Sequence, residues 1–357
     1  MMAPVPRVGS MRSQQVAVVA ALAVVALVTA RVAIPERAPV QHDIRPAAGW
    51  KTAALSDYDA GVARTPGDTP VYVFEGEQPG GTVFVAGGTH GNELAGYMAA
   101  TLLVEHARAT RGRLIVVPHA NNSAVSYVEK SWRGPASFAI TTASGARTFR
   151  FGTRLTDPAH QGEPDPPKYR HPASTEDLDG KESRNLDRAY PGKPGGNLTE
   201  RIAYAITGLI RREQVDVAFD FHEAGVNSRL AMMIVANPKN VDLAAAAVLA
   251  LEGQGLAMKL EPSSPGFRGL SHREWGDHTP ARAFLFETPS PAFDVKTAGD
   301  LVNHAVWPLA RRVGVHLAAM MAVLDACNGE PGVRPVILTD VPGVKAFSRS
   351  GMGPFLR

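Results

Sequence analysis

The chain has 357 residues, 45% of them hydrophobic, with 37 Lys and Arg against 34 Asp and Glu. That is enough for one large domain or two modest ones with a sizeable core. The near-balanced charge, with no basic stripe interleaved with aromatics, argues against a dedicated nucleic-acid binder, and the single cysteine, Cys327, rules out an intrachain disulfide and a thiolate zinc site.

Arg7 and Arg12 precede the apolar run Val16–Ala30, and Val28-Thr-Ala30 offers small residues for cleavage. A basic segment followed by about fifteen apolar residues reads as a signal peptide over residues 1–34. Left uncleaved, the same segment is an N-terminal membrane anchor, although the run falls short of the roughly twenty residues a span needs. In a bacterial cell either reading exports the folded part: periplasmic, extracellular, or anchored to the cytoplasmic membrane. Residues 35–50, with prolines and charges, read as a linker.

The folded domain is expected over residues 51–327. Its first clear strand is the apolar run Thr82–Gly87, followed by a helical pattern over Glu93–Arg108 with Leu94, Met98, Leu102 and Leu103 in phase. Arg113–Pro118 is the next strand. A polar stretch, about 122–197, is long for a loop in a compact domain, and such loops are functional or disordered. A helix over Leu198–Arg212, strands over Val215–Phe221 and Met232–Ala236, an Ala-rich helix over Val241–Gly253 and a strand over Ala283–Phe286 follow. The last element is a long helix over Ala298–Ala326, bent or broken at Pro308. Residues 328–357 are left as a tail, too short for a second domain.

Short continuous apolar strands alternating with helices indicate a mostly parallel sheet covered on both faces. Ligand sites in such sheets lie at the carboxyl ends of the strands, and His90, His222 and Glu287 all fall just past such an end. In Gly88-Thr-His-Gly-Asn-Glu93, His90 and Glu93 stand three residues apart at a helix start, on one face. Read alone, the pair is a turn with a helix cap, a surface pair, or two metal ligands. Catalytic zinc commonly takes three protein ligands, and His222 in Asp220-Phe-His-Glu-Ala224 is the candidate third. The spacing is not HExxH.

Four segments occur in order: Gly88–Glu93, Asn185-Leu-Asp-Arg-Ala-Tyr-Pro-Gly192, Asp220–Ala224 and Phe286-Glu-Thr-Pro289. Together they resemble the succinylglutamate desuccinylase/aspartoacylase family of the zinc carboxypeptidase superfamily, over roughly residues 80–290. The resemblance implies an α/β fold, a three-layer α/β/α sandwich around a mixed, mostly parallel sheet. It implies one zinc ion per chain held by His90, Glu93 and His222. Glu287 would be general base and acid beside metal-activated water, and Arg188 would face a substrate carboxylate or the developing oxyanion.

Two departures accompany it. The family pattern usually reads Asn-Arg where this chain has Asp187-Arg188, and an ionised aspartate repels a carboxylate. Either Arg184 or Arg188 outweighs the acid, or the substrate carries an amine or no charge at that point; the expectation is altered specificity with intact zinc chemistry. The superfamily's carbonyl-polarising arginine has several candidates: Arg184 first, for its place in the motif-bearing loop, then Arg170, with Arg147, Arg150 and Arg154 nearby. Asp187, Arg188 and Arg170 are thus the candidate substrate-binding residues. Ser264–His278 has the composition of a lid or of an ordinary loop. Asp220 could orient His222 from behind, Glu223 points the other way along the strand, and His119 ends a strand near the site. His106 is expected on a helix surface, and His304 and His316 on the late helix.

The expected activity is hydrolysis of an amide bond in an N-acyl amino acid or short peptide. A metallocarboxypeptidase acting on extracytoplasmic peptides is the alternative, favoured by export and by the lack of sequence for a pocket-narrowing β domain. A non-catalytic binding module on the same fold is the other class, since fold does not imply function.

Overall fold

The structure is a computed structural model that describes residues 40–132, 134–293 and 301–357. The expected signal or anchor segment, residues 35–39 of the linker and residues 298–300 of the late helix lie outside the described residues. Among the described residues no helix is long and apolar enough to cross a membrane.

In chain order the elements are β1 (Lys51–Ala54), β2 (Pro70–Glu75), β3 (Gln78–Ala86), α1 (Leu94–His106), β4 (Arg108–Val117), α2 (Asn122–Ser126), β5 (Ser137–Thr142), β6 (Gly145–Arg150), β7 (Lys168–Tyr169), β8 (Leu178–Asp179), α3 (Leu198–Arg212), β9 (Val217–Gly225), β10 (Met233–Ala236), α4 (Val241–Gly253), β11 (Lys259–Pro262), α5 (Ser271–His278), β12 (Arg282–Ser290), α6 (Leu309–Asn328), β13 (Ile337–Thr339) and α7 (Val344–Ser350). Among the described residues nine strands form one sheet, ordered β1-β2-β4-β3-β9-β12-β10-β11 with β13 also on β4. The long central ladders β4–β3–β9–β12 are parallel, as is β10–β11. Within this sheet antiparallel pairing is confined to β1–β2, β2–β4, β13–β4 and β10–β12. The sheet is therefore mixed and mostly parallel, with helices on both faces, as expected.

Strand periodicity sorts the core into two layers. Val83 and Val85, Phe219 and Phe221, and Phe284 and Phe286 face α1, α4 and α6. The alternate residues Phe84 and Ala86, Ala218, and Ala283 face α3 and α5, with Trp275 of α5 fully buried among them. Helix α1 is buried on nearly every side, which is why it lacks a polar face. Gly96 lets it lie against β9: a Cβ there would run into the carbonyl oxygen of Phe221. Helix α3 opens with a capping box, Asn197 and Glu200 satisfying each other's backbone N–H groups.

Several expectations change. The late helix starts at Leu309, after Pro308, because a proline sits readily at a helix start and poorly inside one; residues 301–308 form no helix. His304 lies in that segment and accepts a hydrogen bond from Trp307 N. Residues 328–357 are built into the domain: β13 extends the sheet, and Phe347, Met352 and Leu356 enter the core. Residues 40–50 also pack down, with Ala47 N donating to Val104 O. His106 is tied to the Phe355 carbonyl instead of facing solvent. The long polar stretch holds α2, the hairpin β5–β6, the short pair β7–β8 and several 3-10 turns. In the lid candidate, Ser271–His278 is the packed helix α5, and only the preceding residues are loop.

Candidate metal centre and cavity

The residues expected to hold a metal converge. Gly88, at φ +66°, turns the chain sharply after β3, so that His90 and Glu93 sit in the turn before α1 and not in its first helical positions. Glu93 makes no side-chain cap bond, which removes the helix-cap reading. His222 comes from β9, whose alternation puts Asp220 and His222 on the face opposite Phe219 and Phe221. Ligand atoms of His90, Glu93 and His222 lie within 4.8 Å of one another, and all three side chains are buried.

Their contacts suit a cation. Glu93 Oε1 lies 2.6 Å from His90 Nδ1, and its Oε2 lies 3.1 Å from His222 Nδ1. On the far sides, His90 Nε2 bonds Asn185 Oδ1 at 2.9 Å, and His222 Nε2 lies 2.9 Å from Asp220 Oδ2. Asp220 is held in turn by the Thr89 hydroxyl, 2.9 Å from Oδ1, and Glu223 N donates to Glu93 Oε2 at 3.0 Å. Each imidazole thus turns Nδ1 to the common point and Nε2 to an oxygen, the arrangement that orients metal-ligating histidines. Burial works against charge on His222, yet Asp220 and Glu93 outweigh it and hold its pKa well above the ordinary histidine value. Burial likewise opposes ionisation of Glu93, and His90 and His222 overcome it. Two buried acids around His222 make a negative environment that a positive charge balances. Two nitrogens and a carboxylate suit zinc.

Glu287 is set by sheet register. On β12 it stands directly opposite His222 of β9 and Met233 of β10. It lines a cavity of about 390 Å³ shared with His90, His222, Arg154, Asp187 and Arg188. Its Oε2 has no hydrogen-bond partner among the described residues. Burial first, then the Glu93 charge, pushes its pKa up to about 8, with His222 and Arg154 pulling the other way.

The arginines divide differently from expectation. Arg184 is committed elsewhere: its guanidinium bonds Asp165 at 2.7 and 3.0 Å and the Thr156 carbonyl at 2.7 Å, so it braces the loop and does not reach the cavity lining. Arg170 pairs with Asp177 at 2.6 Å on the surface, also away from the cavity. Arg147 is buried against Glu105 at 2.8 Å. The arginine at the metal cluster is Arg154, 3.3 Å from His90 Nδ1 and 3.5 Å from Glu93 Oε1. Arg188 does line the cavity, its Nη1 bonding the Asp187 carbonyl at 2.6 Å. Asp187 is buried, and its Oδ1 accepts from Ser271 N at 2.7 Å, fixing the start of α5.

Sequence reading gave Asn185 no role, although it lies in a quoted motif; an amide there was the available signal. His272 was missed too: it lines the cavity, 2% exposed, and neither ring nitrogen has a partner among the described residues. His119 lies outside this cavity, stacked on His42 at 3.8 Å. His316 is buried in α6, with Nε2 3.0 Å from Thr288 Oγ1. The side chain of Glu223 faces away, into a buried pair with Arg312.

No family model matches the chain, and no curated protein matches it. Solved structures similar to it include a succinylglutamate desuccinylase from a Silicibacter species, at 21% identity over 75% of this chain and 64% of that one, TM-score 0.42. Another is the tripeptide-bound cell shape determinant protein Csd4 of Helicobacter pylori, at 12% identity over 84% and 58%, TM-score 0.48. A third is a metallo-carboxypeptidase from Burkholderia cenocepacia, at 11% identity over 78% and 65%, TM-score 0.48. This chain spans less than two thirds of the length of each.

Proposed function

We propose that the chain is a zinc-dependent hydrolase of amide bonds, acting on an N-acyl amino acid or a short peptide. The observation that carries this is the convergence of His90, Glu93 and His222 within 4.8 Å, with Glu287 in register beside His222. Zinc held by those three would supply a Lewis acid for the carbonyl, lower the pKa of water toward about 7, and draw the raised Glu287 pKa down.

The remaining work belongs to the chain's own groups. Among the described residues Glu287 Oε2 has no competing partner; it takes a proton from water and passes it to the departing nitrogen, as general base and then general acid. Arg154 and Arg188 present positive charge to the carbonyl oxygen and to an anionic end of the substrate. Asn185, Asp220 and the Glu223 N–H orient the ligand residues. The partner is a small molecule or peptide. Cleavage of extracytoplasmic peptides fits an exported chain, a proposal that rests on the amino-terminal sequence alone.

Metal analysis together with hydrolysis of N-acyl amino acids and short peptides tests the reading. The expected result is one zinc per chain, turnover abolished by chelation, and a 10²–10⁴-fold loss of kcat in Glu287→Gln with zinc content unchanged. A protein that binds no metal at neutral pH and turns over no amide is instead a binding module.

A further inference from the structure

The cavity has an apolar end that neither core layer explains. Met233, Val235 and Leu285, with Leu230 against them, form a cluster separate from both. Register accounts for its position: Met233 pairs with Glu287 and Val235 with Leu285, so these side chains share the Glu287 face of the sheet. Val235 and Leu285 line the cavity, and Phe267 and Phe293 line it too. Phe267 is 40% exposed, one of few large hydrophobic side chains so placed among the described residues. His272, buried and without a partner on either nitrogen among the described residues, lines the same space. Arg154 and Arg188 belong to the metal and Asp187 end; Arg229, also on the lining, is neutralised by Glu261 at 2.6 Å.

We infer that the Val235–Leu285 corner is the seat of a substrate side chain, and that the amide hydrolysed is that of an aliphatic or aromatic amino acid and not of an acidic one. The inference rests on the proposed hydrolase reading and names its substrate class. An acidic side chain would lose its water against Val235, Leu285 and Phe267, where the lining arginine beside β11, Arg229, is already paired with Glu261. An apolar side chain buries both surfaces, and the cavity volume is within the range that holds small ligands. His272 then gives the bound amino acid a hydrogen bond that fixes its orientation.

The test uses the zinc-loaded full chain. Hydrolysis of N-acetyl-X and Ala-X, with X as Leu, Phe, Gly, Asp or Lys, should give kcat/KM for Leu and Phe at least about 10-fold above the other three. Titration calorimetry of zinc-loaded Glu287→Gln with N-acetyl-leucine and N-acetyl-aspartate reads the same order without appreciable turnover. Val235→Thr, nearly isosteric, should lower the Leu-to-Gly ratio several-fold, chiefly through KM, and Phe267→Ala, at the rim, should lower it less. Asp or Lys substrates matching Leu would overturn the inference, as would a ratio unmoved by both variants. Hydrolysis without side-chain order leaves the hydrolase and removes the subsite. Binding in the expected order without hydrolysis leaves the subsite and removes the hydrolase.

Discussion

Replacing Asn185 with alanine tests whether the buried hydrogen bonds behind the ligand cluster tune the metal. The amide oxygen sits 2.9 Å from His90 Nε2 and also accepts from Asp187 N at 3.0 Å, while Nδ2 donates to Glu182 at 2.7 Å. Asn185 and His90 are 0% and 2% exposed, so water does not readily take the place of the lost acceptor. Two consequences separate. In the metal-free protein, an orphaned donor costs about 1–3 kcal/mol and the lost cap on Asp187 N about 1 kcal/mol more, so urea unfolding should show a loss of about 2–4 kcal/mol. In zinc binding, Nε2–H no longer has an acceptor, and the tautomer that donates from Nδ1 to Glu93, 2.6 Å away, gains ground. That tautomer lacks the Nδ1 lone pair a metal needs, so affinity should fall about 10–100-fold, or about 1.4–2.7 kcal/mol, in competition with a chromogenic chelator. Asn185→Asp keeps an oxygen for His90 but places a carboxylate beside Glu182; it should lose stability while keeping zinc. A zinc affinity within twofold of wild type in Asn185→Ala would refute the reasoning.

Two further outcomes follow from packing and titration. Gly96→Ala should destabilise by about 1–3 kcal/mol, measured by urea unfolding, because the new methyl meets the Phe221 backbone one residue before His222; zinc affinity should fall with it, and a change under 0.5 kcal/mol would show that α1 and β9 are not so closely packed. Burial, helped by Arg150 and opposed by the Asn122 hydrogen bond, lowers the His42 pKa from 6.5 to about 4. The unfolded chain therefore takes up this proton first, and the stability contributed by neutral His42 is present above pH 6.5 and lost as pH falls toward 4. Between pH 7.5 and 5.5 the advantage of wild type over His42→Gln should shrink by about 1.3 kcal/mol; a pH-independent difference would place His42 in solvent.

What could be read in the sequence was whatever periodicity or a short motif encodes locally. Strands β3, β4, β9, β10 and β12 each contain an apolar stretch, and their order with the helices predicts the sheet. Strands β1, β2, β11 and β13 escaped because they are short or half-exposed, with burial supplied from distant chain. The convergence of His90, Glu93 and His222 was legible since each stands in a motif at a strand end. The arginines were not, because the side chains paired with them are set by tertiary contacts: Arg184 meets Asp165 and Arg170 meets Asp177, and no spacing rule ranks these above Arg154. The late helix was overrun at its start because apolar residues continue through 301–307, where only Pro308 marks the boundary.

Glu287 and His222 stand on neighbouring strands in one ladder, whereas Arg154, Asn185 and Arg188 ride on irregular chain between β6 and α3. The spacing between the proposed proton carrier and the proposed ligand is thus inherited from backbone hydrogen bonds, while the groups proposed to meet the substrate hang from connections that tolerate exchange. Anyone redirecting this scaffold toward a new amide should graft into 151–192 and leave the β9–β12 seam alone, since a one-residue slip there would turn the acid to the opposite side of the sheet.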